Sequence, residues 1–417
     1  MRLTRLTMKS FAPFADGEID FPEVEAADGL AEVHMLTGEN GTGKTRVLTA
    51  LIEALGNIGP LHDRVRQDSG TELEVDAYFG ESPEWTVSHG KWIFKNGSDR
   101  SQIPYISSCG HGMAGSGIAL LEDLPVDNGT EIKPGKIHEF LTLNGASNSA
   151  LRLTDFRKQV AFERDASGVK SPGRLTKCLT SLESAITSIT KEEFSLLLQP
   201  GRSTRLLAKW GKAELYFSEI PDGLRSLLSW LAGWVVFQAE KFDESDDPLS
   251  EPVTLILDEP ENHLHPQWQR RVLPAIQRLF PNAQIFVVTH SPFVVSSLNV
   301  GWIHKFTRGD DGLVHIEQAQ KASRGDSYMT AVQEILDLEE WFDPETEEEI
   351  AKFETLLDEA YDGDSDHIEK MRKKATELKA RSEEVLNLIS NLEAQFNRTM
   401  DARQKASPEA RVLEAQS

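Results

Sequence analysis

Eight residues, GENGTGKT at 38–45, concentrate more potential chemistry than any other stretch of the chain. Gly38, Glu39, Asn40, Gly41, Thr42, Gly43, Lys44 and Thr45 meet the spacing G-x-x-x-x-G-K-T. In that pattern glycines let backbone N–H groups wrap a polyphosphate, the lysine neutralises its β and γ oxygens, and the threonine hydroxyl can reach Mg²⁺. Arg46 follows as the loop opens a helix, KTRVLTALIEAL, whose N-terminus adds positive potential, and it joins the candidate nucleotide contacts. A second stretch, VTLILDEPENHLHP, reads as an apolar strand ending in two carboxylates. Asp258 there is suited to holding Mg²⁺ through water, and Glu259 to orienting and deprotonating an attacking water. A third, AQIFVVTHS, places His290 at the end of another buried strand, where a γ-phosphate sensor belongs.

Positioning these groups requires a sheet. The two apolar strands suit a parallel sheet covered on both faces. Short alternating runs over residues 2–36 suggest an antiparallel meander feeding the phosphate loop, and strand-like segments at about 65–106 suggest a β-subdomain. Residues 107–135 are Gly- and Ser-rich and read as a flexible loop holding His111; 136–200 read as helical, including LTKCLTSLESAITSI and KEEFSLLLQ. RLLAKWG and AELYF follow as strands, then a long apolar helix, LRSLLSWLAGWVVFQAEKF, and a helix carrying an internal Pro274. The head so described spans 1–320. An acidic helical region, 321–400, follows, and 401–417 read as a disordered tail. Within that region Ile368, Met371, Ala375, Leu378, Val385, Ile389, Leu392 and Phe396 form one apolar stripe along about eight turns, suited to the chain's own body, a second copy or another protein. DGDSD at 362–366 reads as a helix-starting cap.

Composition narrows the classes. The 417 residues carry 67 acidic and 44 basic side chains, a net charge of -23, which works against a general attraction to nucleic acid. Two cysteines, Cys109 and Cys178, have no metal-ligand spacing and suit a reducing compartment. The N-terminus lacks the apolar core of a signal peptide, and no apolar run is long enough to span a bilayer. A soluble, cytoplasmic protein without a membrane partner is expected.

GENGTGKT, LILDEPENHLHP and VVTHSP together resemble the ABC-type ATPase head shared by the SMC, RecF and OLD proteins, over roughly residues 1–310. MKSFAPFADGEIDF is similar to the opening strands of RecF- and Rad50-like heads. The resemblance implies an α/β ABC-type P-loop fold: a mixed β-subdomain and a parallel sheet flanked by helices, here with a C-terminal helical extension. It implies ATP hydrolysis with Mg²⁺ between two heads, Asn40 near the attacking water, and His263 and His265 in a loop at the dimer contact. The best candidate for the trans-acting signature is IPDGLRSLL, with Gly223 at the start of its helix and Arg225 following, but Pro221 stands where the family has Ser. No glutamine fits the Q-loop clearly; Gln102 lies nearest. There is neither a long coiled-coil arm between the two phosphate-site motifs nor a recognisable Toprim nuclease. A compact head with a short acidic helical tail resembles the ATPase subunits of bacterial anti-phage systems of the Septu, retron-associated and PARIS types. That resemblance implies a sensor and scaffold controlling a separate effector, a nuclease such as an HNH protein or a toxin, held by the C-terminal helices. The alternative is a RecF-like DNA-repair ATPase whose ATP-bound dimer binds duplex DNA; a transporter ATPase ranks last.

Overall fold

The computed structural model describes residues 2–24, 29–48, 74–79, 85–88, 91–94, 106–110, 146–167, 172–200, 204–298, 300–322, 331–336 and 341–406. Two compact units are present, Met1–Asp337 and Leu338–Ser417. The break falls later than the sequence boundary at 320, because β15 (Gln320–Lys321) still pairs with β13 (Trp302–Arg308) of the first unit.

The first unit begins with β1 (Leu3–Lys9), β2 (Gly17–Asp20) and β3 (Glu32–Gly38). β4 (Glu74–Phe79), β5 (Trp85–Ser88), β6 (Lys91–Phe94) and β7 (Ile106–Gly110) follow. An antiparallel sheet runs β2-β1-β4-β5-β6, so the opening meander and the β-subdomain form one surface. Helices α1 (Ala146–Ser167) and α2 (Arg174–Thr190) precede a three-stranded sheet of β8 (Phe194–Gln199), β9 (Arg205–Trp210) and β10 (Ala213–Tyr216). Then come α3 (Asp222–Lys241), β11 (Val253–Asp258), α4 (Pro266–Leu279, with Pro274 inside it), β12 (Ala283–Val288), the short α5 (Pro292–Val295), β13, and β14 (Val314–Ile316).

The central sheet has the order β14-β13-β3-β12-β11-β7, with β15 beside β13, and its strands from β13 through β7 are mutually parallel. Every residue of β11 and β12 is buried, as both faces of a covered parallel sheet require. α3 is buried on nearly all sides; Trp234 lies edge-on to both Trp230 and Phe280 in the same core as β11, α2 and α4. No helix among the described residues is long and apolar enough to cross a membrane.

Two sequence expectations fail here. Residues 106–110, at the head of the expected loop 107–135, form β7, which pairs with β11 and sets Asp258 beside Gly110. The remainder of that loop, with His111, and Gln102 lie outside the described residues. KEEFSLLLQ is not helical: Lys191 takes a left-handed conformation (φ 64°) and its N–H closes α2 on the Thr187 carbonyl, after which Phe194 and Leu196 alternate inward along β8. Three consecutive leucines fit either period, so the cap decides.

The second unit is a bundle of α6 (Pro344–Ala360), α7 (Ser365–Lys379) and α8 (Glu383–Ala406). Asp343 caps α6 through the Thr346 N–H and hydroxyl, and Asp364 caps α7 through the Asp366 N–H. The expected eight-turn stripe is broken at Ala380–Ser382, where the Ser382 hydroxyl accepts from the Val385 N–H (3.2 Å) and opens a new helix. Met371, Ala375 and Leu378 then meet Val385, Ile389 and Phe396 with Phe353 and Leu357, so the stripe closes on its own unit. α8 continues through 401–406, inside the tail expected to be disordered.

Candidate phosphate-binding site

β3, β12 and β11 are neighbours, and their C-terminal ends deliver the phosphate loop, His290 and the Asp258–Glu259 pair to one edge. The loop is held by its own backbone. Gly38, Gly41 and Gly43 have φ of 139°, 82° and 81°, which side chains rarely adopt. A Cβ on Gly43 would stand 2.8 Å from the Phe14 ring, so the Pro13–Phe14 turn forms the floor beneath the loop. The Lys44 ammonium lies across the cradle, donating to the Gly38 carbonyl (2.8 Å), the Glu39 carbonyl (2.6 Å) and the Thr42 hydroxyl (3.2 Å). Burial lowers it to about 8 against the pull of Glu259, Asp258 and Glu39. Glu39, Asn40 and Gly41 are exposed. Arg46 turns away, donating to the Ala12 carbonyl (3.0 Å), so in this structure it ties the floor to the helix.

Thr45 donates through its hydroxyl to Asp258 Oδ1 (3.2 Å), although the two lie 213 residues apart in sequence. Asp258 Oδ2 is buried without a hydrogen-bond partner. Burial, with Glu259 adjacent, raises this carboxyl to about 6 despite Thr45 and Lys44. A buried carboxylate oxygen with an open lone pair beside a hydroxyl fits Mg²⁺, a hard cation that takes oxygen ligands.

Glu259 adopts a left-handed backbone conformation (φ 50°) while its N–H donates to the Val288 carbonyl (2.9 Å), extending the β11–β12 pairing by one residue. The Asn262 amide donates to Glu259 Oε2 (2.7 Å), and His290 Nε2 stands 4.0 Å from Glu259 Oε1. Burial and Lys44 together lower the His290 imidazole below its ordinary value. The arrangement can hold a polyphosphate, a cation and a water, with a carboxylate as base. Two residues that sequence reasoning did not single out complete it: Asn262, which fixes Glu259, and Glu261, which accepts from the His290 loop. The sole sequence signal for either was the EPENHLHP stretch.

The other expected residues lie at the edge of this arrangement. His265 caps α4 by accepting from the Gln267 N–H, and His263 is left-handed (φ 67°). A Cβ on Gly223 would come within 2.6 Å of the His263 carbonyl, so this glycine first serves the close packing of α3 on that turn. Pro221 is the N-cap of α3, and Arg225 is ion-paired to Asp222.

Residues 137–296 match a family model described as "AAA domain, putative AbiEii toxin, Type IV TA system", and residues 1–87 match one described as "AAA domain". Fold and site together have the layout of an ABC-type P-loop head, and two segments of the chain match AAA-domain models. Among curated proteins the chain is similar to the Septu protein PtuA of Bacillus thuringiensis, 26% identical over 191 residues, which are 44% of this chain and 46% of that protein. It is also similar to the Retron Ec83 probable ATPase of Escherichia coli, 29% identical over 133 residues, 31% of this chain and 24% of that one. Among solved structures, an SMC head bound to the C-winged helix domain of ScpA aligns with a TM-score of 0.44 and 16% identity, over 78% of this chain and 98% of that one. The matched region spans less than half the length of either curated relative.

Proposed function

We propose that this protein binds and hydrolyses ATP as the sensor and scaffold subunit of an anti-phage defence complex, controlling a separate effector through its C-terminal helices. One observation carries the catalytic half: Lys44, Thr45, Asp258, Glu259 and His290, from three separate parts of the sequence, meet at the ends of three adjacent parallel strands. Similarity to Septu and retron ATPases supports the defence setting. Mg²⁺, when held by Thr45 and Asp258, would offset the charge of the β and γ phosphates. Lys44 exchanges its bonds to the Gly38 and Glu39 carbonyls for phosphate oxygens. Glu259, held by Asn262, accepts the proton of the attacking water, while the neutral His290 faces the γ-phosphate. Two heads close on ATP, each with the N-terminus of α3 toward the other; Pro221 in place of a hydroxyl there favours slow turnover and a lasting closed state.

The test is native mass measurement of the protein co-expressed with its neighbouring gene, with and without ATP and with Glu259→Gln. A complex carrying the second protein, with heads paired on ATP, is expected. A bare monomer that pairs on ATP and then retains duplex DNA would replace this function with the repair reading, and protection of cells from phage by this chain alone would remove the separate effector.

A further inference from the structure

Glu261 is a carboxylate that the hydrolytic scheme does not use, yet it is 6% exposed. Its Oε1 accepts from the Thr289 hydroxyl, the His290 N–H (3.2 Å) and the Ser291 N–H (3.2 Å), and its Oε2 is buried with no hydrogen-bond partner. The Ser291 hydroxyl in turn donates to Gln269 Oε1 (2.7 Å), and Gln269 donates back to the Leu264 carbonyl (2.9 Å). The turn that carries Glu259 and the loop that carries His290 are therefore joined at both ends. Burying a carboxylate three residues after one aspartate and two after a glutamate is costly, and an apolar residue would fill the space more cheaply. What the carboxylate uniquely does is gather three donors of one loop on a single oxygen.

We propose that Glu261 is a positioning residue that locks the His290 loop to the Glu259 turn, so that base and imidazole face the γ-phosphate as one rigid pair. This rests on the hydrolytic reading above and adds to it the group that holds its geometry. Without Glu261 the loop keeps its place in the chain but not its fixed distance from Glu259. A misplaced catalytic group costs turnover more than substrate binding.

Two measurements on the full chain test it. In Glu261→Ala the His290 amide should exchange with deuterium about tenfold or more faster than in the wild type, the Ser291 amide, which also donates to the Thr289 hydroxyl (3.0 Å), should change less, and amides inside β12 should stay protected. Glu261→Gln, whose amide oxygen can accept the same bonds, should keep most of the protection. Steady-state ATP hydrolysis should show kcat reduced about tenfold or more in Glu261→Ala with KM within about twofold, and Glu261→Gln restoring most of kcat. If Glu261→Ala does not fold, Thr289→Val takes its place, with faster His290 exchange and lower kcat at unchanged KM. Wild-type exchange at His290 in Glu261→Ala, or in Thr289→Val where that variant stands in for it, or equal losses in Glu261→Ala and Glu261→Gln, would overturn the role. A wild type that hydrolyses no ATP while showing the exchange contrast would overturn the hydrolytic reading and leave the positioning role standing.

Discussion

Asp258→Asn should stabilise the nucleotide-free protein while disabling the proposed metal site. The side chain is 1% exposed, one oxygen accepts from Thr45, and the other has no partner. Burial first, and Glu259 second, raise the carboxyl from 3.8 to about 6, with Thr45 and Lys44 opposing. A carboxyl whose native value is raised favours the folded state only while protonated. Its contribution is complete below the ordinary aspartate value and is lost as the pH climbs through about 6, above which the fold holds a desolvated charge. That penalty, already net of the Lys44 attraction and the Thr45 hydrogen bond, amounts to about 3 kcal/mol at most, and burying the asparagine N–H groups where Oδ2 has no partner reduces the gain to about 1 to 2 kcal/mol. Asparagine keeps the acceptor for Thr45 and carries no charge. Urea denaturation in EDTA, without nucleotide, at several values between about pH 5.5 and 8 stays clear of the isoelectric point near 4.9. The variant's advantage should widen from the acid end and level off above about pH 7, and Mg²⁺ with ATP should stabilise only the wild type. An Asn variant no more stable than wild type at about pH 7.5 would refute the assignment of a desolvated carboxylate with an unpartnered oxygen.

Other consequences are independent. Gly38→Ala should cost about 2 kcal/mol or more by thermal denaturation, because φ is 139° and the new Cβ would stand 2.2 Å from the Phe306 carbonyl oxygen. The buried His34–His304 pair (3.1 Å), backed by Glu32, Arg2 and Gln284, should make the first unit acid-sensitive. Burial lowers both imidazoles, so their contribution is whole above about pH 6.5 and lost as the pH falls through their native values; His304→Gln should flatten the decline in stability between about pH 7 and 5.5. Phe396→Ala should destabilise the three-helix unit by about 3 to 5 kcal/mol, read as faster amide exchange across 344–406.

Much of the site was legible because its parts are local. The phosphate loop, the strand-end carboxylates and His290 each announce themselves by residue type and by the strand before them, and their convergence follows once those strands are parallel neighbours. What stayed hidden depended on long-range pairing. β7 has Ile106 as its sole large apolar residue, and it is a strand because β11 offers it a ladder. β13, with His304, Lys305 and Arg308 in seven residues, carries too much polarity to read as a sheet interior, yet it pairs along β3. Glu261 and Asn262 carry no separate signal in the sequence; their work appears when Thr289 and Glu259 are brought to them. The stripe from Ile368 to Phe396 kept its period across Ser382, and periodicity cannot show that the helix stops and reverses there.

The most direct test of the account is ATP binding and phosphate release measured side by side for the wild type and Glu259→Gln in the presence of Mg²⁺. The predicted result is ATP bound with similar affinity by both, with release by Glu259→Gln at least about a hundredfold slower than by the wild type. Undiminished release by Glu259→Gln, or no ATP bound by either protein, would contradict it.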